Sequence, residues 1–344
     1  MRDVFCRVPF RPGRIMCRLL GAPLISLALL ARFAIAAFAG DLALPVACDI
    51  GRTCFIQNYM DIDPSHAAKD FMCGTLTYEG HNGIDFRLPS LVGQQVPVLA
   101  AAAGEVLRTR DGVPDVLVND RGRSKVDGSE CGNGVVVKHE GDRETQYCHL
   151  AKGSIRVKPG DMVIAGHILG DIGLSGLTEY PHLHFILRRS GKVIDPFADG
   201  RVPGECGGSA TSHWQAPVQA QLVYSPRTLL NFGFTTIPVS NEAVETGETT
   251  RRQPTIASEA IVAFVRAIGL KSGDVQLLTM RDPAGQVIAE NRSAPLASNK
   301  AQVVLYTGRK RLEGNWDRGR YTATYAISSD GQTLFTRQFE ADMH

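Results

Sequence analysis

Pro181-His182-Leu183-His184-Phe185-Ile186-Leu187 begins with a strict alternation of polar and apolar side chains. Successive side chains of a strand point to opposite faces, so His182 and His184 share one face while Leu183 and Phe185 enter a core. A second stretch, His81-Asn82-Gly83-Ile84-Asp85, carries an imidazole and a carboxylate of equal parity. In an extended segment both lie on one face, and Gly83 lets a neighbouring backbone approach closely. Around these two stretches, residues 75–196 break repeatedly into strand-length runs at Gly, Pro and Asp. Examples are 83–88, 96–107, 134–139 and 161–169. With almost no helical periodicity, this pattern predicts an all-β domain.

Histidine nitrogen and carboxylate oxygen are zinc donors, and a catalytic zinc keeps one position open for water. A lone histidine, His149, sits between the two stretches in Gln-Tyr-Cys-His-Leu. Taken in order, H-x-x-x-D, a single His and H-x-H resemble the lysostaphin-like zinc endopeptidases, which cut the peptide cross-links of bacterial peptidoglycan. The glycine-punctuated run 157–176 before the H-x-H is also similar to that family. The resemblance covers residues 75–196, about a third of the chain.

That resemblance implies a duplicated hybrid motif core holding one zinc per chain through His81, Asp85 and His184. It implies that His149 and His182 stand beside the metal as catalytic groups. They would take a proton from water and stabilise the oxyanion, and either one can serve as the base. The implied activity is that of an exported zinc metalloendopeptidase hydrolysing amide bonds in peptidoglycan stem peptides or cross-links. Two rival readings are a non-catalytic activator or scaffold of other wall hydrolases, and a zinc peptidase acting on ordinary proteins. The chain departs from the family at Ile186, where members often carry an acidic residue. Ile186 is not an expected ligand, so the departure concerns support around the site.

The other histidines (His66, His139, His167, His213, His344) match no ligand spacing and read as loop or strand residues. Tyr147 is open to two readings, substrate contact or strand packing. Residues 40–74 form an N-terminal segment with the stretch Phe55-Ile56-Gln57-Asn58-Tyr59 just upstream of the first ligand motif. The amide of Gln57 or Asn58 could occupy the open metal position, as an upstream asparagine does in some relatives. The alternative is an edge strand, favoured by the Phe-Ile-Tyr content.

The N-terminus is arginine-rich, then apolar from Leu19 to Leu30, then Ala37-Phe38-Ala39. Residues 1–39 read as a signal peptide, too short in its apolar run for a membrane span. They contain six arginines and one aspartate, a net of five positive charges, so the whole-chain +2 becomes −3 without them. No basic surface for nucleic acid or anionic lipid is expected from such a balance. Six cysteines remain after the leader, which argues for disulfides and an exported protein, in the periplasm or cell envelope rather than outside the cell. Cys48 and Cys54 flank a short loop, and Cys131 and Cys148 sit at the outer ends of two expected strands, which leaves Cys73 with Cys206.

Residues 40–202 are expected to form the catalytic domain, with a polar surface loop at 111–130 beside the site. Gly-rich 203–217 reads as a linker. Residues 218–344 again show short strands, at 258–265, 275–282, 302–307, 321–327 and 333–339, and predict a small immunoglobulin-like β-sandwich. Its aromatics Phe264, Tyr306, Tyr321, Tyr325, Phe335 and Phe339 are expected to fill a core.

Overall fold

The computed structural model describes residues 40–344 except 92, 94, 118–121, 123–127, 203 and 207–210. The expected signal peptide, most of the tip of the 111–130 loop and the glycine-rich part of 203–217 lie outside the described residues. Among those described, no helix is long and apolar enough to cross a membrane.

The first ten strands are β1 (Phe55–Asn58), β2 (Ile84–Arg87), β3 (Pro97–Leu99), β4 (Gly104–Arg110), β5 (Asn133–His139), β6 (Arg143–Leu150), β7 (Met162–Val163), β8 (Ile168–Asp171), β9 (His182–Arg189) and β10 (Lys192–Ile194). Eight of them form one antiparallel sheet in the order β1-β2-β9-β6-β5-β4-β7, with β10 paired to β9. Strands β3 and β8 make a separate two-stranded ribbon. The all-β expectation holds. The run 96–107 resolves into two strands, because Ala100 to Ala103 leave the ladder between β3 and β4.

Alternation places one face of the large sheet in the core. Phe86, Val106, Val137, Tyr147, Leu183 and Phe185 are fully buried there and pack with Val98 and Leu169 of the ribbon. Each large apolar side chain buried this way contributes on the order of 2 kcal/mol. Trp214 lies at the same core, its ring centroid 5.6 Å from that of Phe185. Val218 of the short helix α1 (Ala216–Gln219) and Leu222 join it. The described end of the expected linker is therefore packed into the first core, because an indole buried there gains more than a solvated one.

Beyond it follow β11 (Thr228–Thr235), helices α2 (Asn241–Glu245) and α3 (Glu248–Arg251), β12 (Ala260–Leu270), β13 (Val275–Arg281), β14 (Val287–Arg292), β15 (Lys300–Lys310), β16 (Gly319–Ser329) and β17 (Gln332–Met343). They form a three-stranded sheet, β11-β12-β15, and a four-stranded sheet, β14-β13-β16-β17. The two sheets share one core, with Ile261, Val265 and Leu305 facing Leu278, Tyr321, Tyr325 and Ile327. Tyr306 departs from the expected aromatic core. Leu305 takes the inward position of β15, so its neighbour faces outward and is 48% exposed.

The two cores meet along β1. Phe55 packs with Leu230 and Ile268, and the Gln57 Nε2 donates to the Ala301 carbonyl at 3.0 Å. The stretch at Phe55 is thus an edge strand whose outer side is covered, which protects an otherwise unpaired sheet edge. The three cysteine pairs, Cys48–Cys54, Cys73–Cys206 and Cys131–Cys148, are bonded, with Cα separations of 6.1, 5.5 and 4.8 Å.

Candidate metal centre

Four imidazoles and one carboxylate meet on the face of the large sheet opposite its core. Strand register explains three of them. Asp85 of β2 lies directly across from His184 of β9, and His182 is two residues before His184 on the same face. Gly83 is needed here, since a Cβ on it would lie 2.6 Å from the Phe185 carbonyl and 2.7 Å from the His184 ring. His81 comes from the turn preceding β2, where its backbone N–H bonds to the Tyr78 carbonyl at 3.0 Å.

His149 reaches the site by a different route. Parity would place it with Tyr147 on the core face. The β5–β6 register shifts between Asn133 and Val135, so that two residues of β6, Cys148 and His149, lie opposite Gly134 alone. Such a bulge re-aims a side chain. His149 takes a left-handed backbone, φ 65°, and its ring centroid lies 4.6 Å from that of His182. Its N–H donates to the Cys131 carbonyl at 2.8 Å, next to the Cys131–Cys148 bond. That pairing holds a conformation a non-glycine residue otherwise avoids.

Each of the four rings commits one nitrogen to an outer oxygen. His81 Nδ1 donates to the Tyr59 carbonyl at 2.7 Å, and His149 Nδ1 to the Ser175 carbonyl at 2.8 Å. His182 Nδ1 donates to the Tyr180 carbonyl at 2.9 Å, and His184 Nε2 to Asn82 Oδ1 at 3.1 Å. In a neutral ring the opposite nitrogen is then a bare lone pair. His81 Nε2 and His184 Nδ1 lie 3.2 Å apart, and Asp85 Oδ1 lies 3.1 and 2.8 Å from them. His182 Nε2 is 3.5 Å from the same oxygen. Two lone pairs and an anionic oxygen thus converge with no proton assigned between the two rings. Among the described residues, His81, Asp85 and His184 are the group able to hold a metal ion together.

The electrostatics follow from burial and these neighbours. Burial opposes the charge of Asp85, but His81 and His182 outweigh it and hold the carboxyl well below its usual range. Burial also opposes charge on His81, yet the Asp85 carboxylate raises its pKa. Burial, with His182 and His184 as neighbours, pushes His149 well below the ordinary imidazole value. His182 falls to about 4, again chiefly from burial, with Asp85 opposing.

Further residues support the centre from around it. Asn58 Nδ2 donates to Asp85 Oδ2 at 2.8 Å and to Tyr180 Oη at 2.9 Å. Gln57 turns away, accepting from Arg87 at 2.8 Å. Tyr147 is fully buried and its hydroxyl accepts from the Ala101 N–H at 2.8 Å, so the packing reading holds. His139 is likewise satisfied, bonded to the Ala103 carbonyl and to Thr145. A groove of about 730 Å³ opens over the centre, lined by Tyr78, Glu130, Gln146, Ile186, Arg188 and Ala301 among others. Glu130 ends the 111–130 loop, which thus touches the groove.

Residues 79–196 match the family described as Peptidase family M23. DD-carboxypeptidase/endopeptidase Mpg of Neisseria meningitidis is 31% identical over 125 residues, 35% of this chain and 23% of that protein. Peptidoglycan DD-endopeptidase ShyA of Vibrio cholerae is 33% identical over 115 residues, 33% of this chain and 22% of that protein. The chain thus spans less than a quarter of the length of these two curated relatives. The catalytic domain of the prophage-encoded M23 protein EnpA from Enterococcus faecalis is 27% identical, covering 42% of this chain and 92% of that one, with a TM-score of 0.29. The H-x-x-x-D, His and H-x-H residues all fall inside the matched span, and residues 79–196 of this chain are a peptidase family M23 domain.

Proposed function

We propose that this protein is an exported zinc metalloendopeptidase that hydrolyses amide bonds in peptidoglycan stem peptides or cross-links. The observation that carries the reading is the convergence of His81 Nε2, Asp85 Oδ1 and His184 Nδ1, each with its other polar atoms already engaged. That donor set fits zinc, which takes imidazole nitrogen and carboxylate oxygen and is completed by a fourth, exchangeable position. Outer hydrogen bonds of the kind seen at Tyr59 and Asn82 fix the ring orientation that a metal needs. Zinc bound there would supply Lewis acidity, activating water and polarising the scissile carbonyl.

The protein's own residues do the rest. His149 and His182 keep their Nδ1 protons on the carbonyls of Ser175 and Tyr180, so Nε2 is the nitrogen free to accept a proton. Burial keeps both rings neutral near pH 7, ready for that task. The reading assigns the pair to proton transfer and to holding the carbonyl oxygen as it becomes anionic. A groove of about 730 Å³ over the centre supports access for a peptide substrate, and the three bonded cysteine pairs favour an oxidising compartment such as the periplasm or cell envelope. The peptidoglycan substrate rests on the names of the relatives.

Metal analysis of purified protein and mass spectrometry of products from defined muropeptides test the reading together. One zinc per chain and cleavage of a stem-peptide or cross-link amide are expected. His184→Ala should lose metal and activity together. His149→Ala and His182→Ala should keep the metal and lose turnover by roughly 10² or more, the scale of general acid–base catalysis. Full zinc occupancy in His184→Ala would overturn the ligand assignment, and cleavage of casein in preference to muropeptides would overturn the substrate.

A further inference from the structure

Two residues along β2 from Asp85, on the same face, stands Arg87. Its guanidinium is buried, 1% exposed, where an unpaired cation would be costly. The partner comes from the other core: Arg87 Nη2 donates to Glu245 Oε2 at 2.8 Å, at the end of α2. The same carboxylate oxygen accepts from Arg266 Nη1 of β12 at 2.5 Å. Arg266 also reaches Asn231 Oδ1 at 2.8 Å and the Pro89 carbonyl. Two guanidiniums thus share one carboxylate in a buried junction. Burial and the nearby Arg87 push the Arg266 pKa down to about 10, as expected where like charges crowd.

Arg87 leads back to the metal centre. Its guanidinium carbon lies 4.2 Å from the Tyr180 ring centroid, and the Tyr180 hydroxyl lies 3.4 Å from Asp85 Oδ2. Strand geometry puts the Cα atoms of Asp85 and Arg87 about 7 Å apart. A side chain as long as arginine, if released, spans that distance and can form a bidentate pair with the carboxylate. Held by Glu245 and by Gln57 Oε1 at 2.8 Å, it stays over the tyrosine instead.

We propose that Glu245 is a positioning residue for the metal centre: by pinning Arg87 it keeps a buried cation off Asp85, so that the C-terminal sandwich is a working part of the M23 site. The proposal rests on the zinc reading above. With Glu245 in place the three-residue cluster carries one net positive charge, and without it two, directly behind a site that must accept a cation. Asp85 then faces a competitor, and its oxygens are less available to a metal.

The test measures zinc affinity by competition with a chromogenic chelator on the full-length chain, with thermal unfolding followed alongside. Glu245→Gln, nearly isosteric, is expected to weaken zinc binding about 10- to 100-fold, the scale for residues supporting a ligand. Adding Arg87→Met to that variant removes the competing cation and should restore affinity to within a few-fold of the parent. Arg266→Met strips an ion pair from the junction yet leaves Glu245 on Arg87, so it should keep parental affinity. Should Glu245→Gln fail to fold, Glu245→Asp retains the charge with shortened reach and should show a smaller loss. Unchanged affinity in folded Glu245 variants, no recovery in the double variant, or an equal loss in Arg266→Met would each overturn the proposal. A parent protein that binds no zinc would instead overturn the metal-centre reading itself.

Discussion

Two buried polar clusters lie side by side on one face of β2, and they are built on opposite principles. Around Asp85, the imidazoles spend their outer nitrogens on protein oxygens and turn bare nitrogens toward one point. Around Arg87, positive and negative groups meet each other directly, and only Arg87 Nε and Glu245 Oε1 lack a protein partner. The first cluster gathers a set of donor atoms able to hold a metal ion together. The second is held by direct charge pairing between side chains from both halves of the chain. His81 Nε2, His184 Nδ1 and Asp85 Oδ1 face one another within 3.2 Å, an arrangement of acceptor atoms that a shared cation would relieve.

The harshest way to break the contrast is to remove the support of His149. The Cys131–Cys148 bond lies beside its strained backbone, whereas residues 207–344 contain no cysteine. Replacing both cysteines with serine should cost about 2 to 5 kcal/mol. Activity should be lost at lower denaturant than the unfolding of the C-terminal sandwich, followed by amide hydrogen exchange in β12, β13 and β16. Simultaneous loss of the two would show that the two regions share one fate.

Protons probe the first cluster more gently. His182 has a folded pKa near 4 against 6.5 for an ordinary imidazole, so between these values the unfolded chain binds more protons. Its contribution to stability is therefore complete above about pH 6.5 and declines as pH falls toward 4. For metal-free protein this amounts to on the order of 1 to 3 kcal/mol. His182→Asn should flatten the decline between these pH values, measured by urea unfolding at each pH. An identical slope in the variant would remove His182 from the account.

The smallest effect separates the two neighbours on β1. Asn58 serves the first cluster and Gln57 the second. Asn58→Ala should weaken zinc binding about 10-fold. Gln57→Ala should cost about 1 to 2 kcal/mol of stability, since it strips a partner from buried Arg87. Neither should raise turnover on small substrates. An increase would revive the reading in which this stretch blocks the metal, against the edge strand found here.

Much of the site is legible without coordinates because its information is local. Parity alone aligns His182 with His184 and sends Leu183 and Phe185 inward. The four-residue step across Gly83 brings Asp85 beside His81, and the short loop between Cys48 and Cys54 invites its disulfide. The tertiary structure alone decides the rest. Parity puts His149 on the wrong face of β6, and only the bulge opposite Gly134 turns it toward His182. Asn58, Tyr180 and Arg87 have no spacing that names them, and Glu245 meets Arg87 across 158 residues. The physical reason is that periodicity fixes which way a side chain points along its own strand. Which distant segment comes to lie against it is set by how whole sheets pack, and that depends on burial summed over the entire fold.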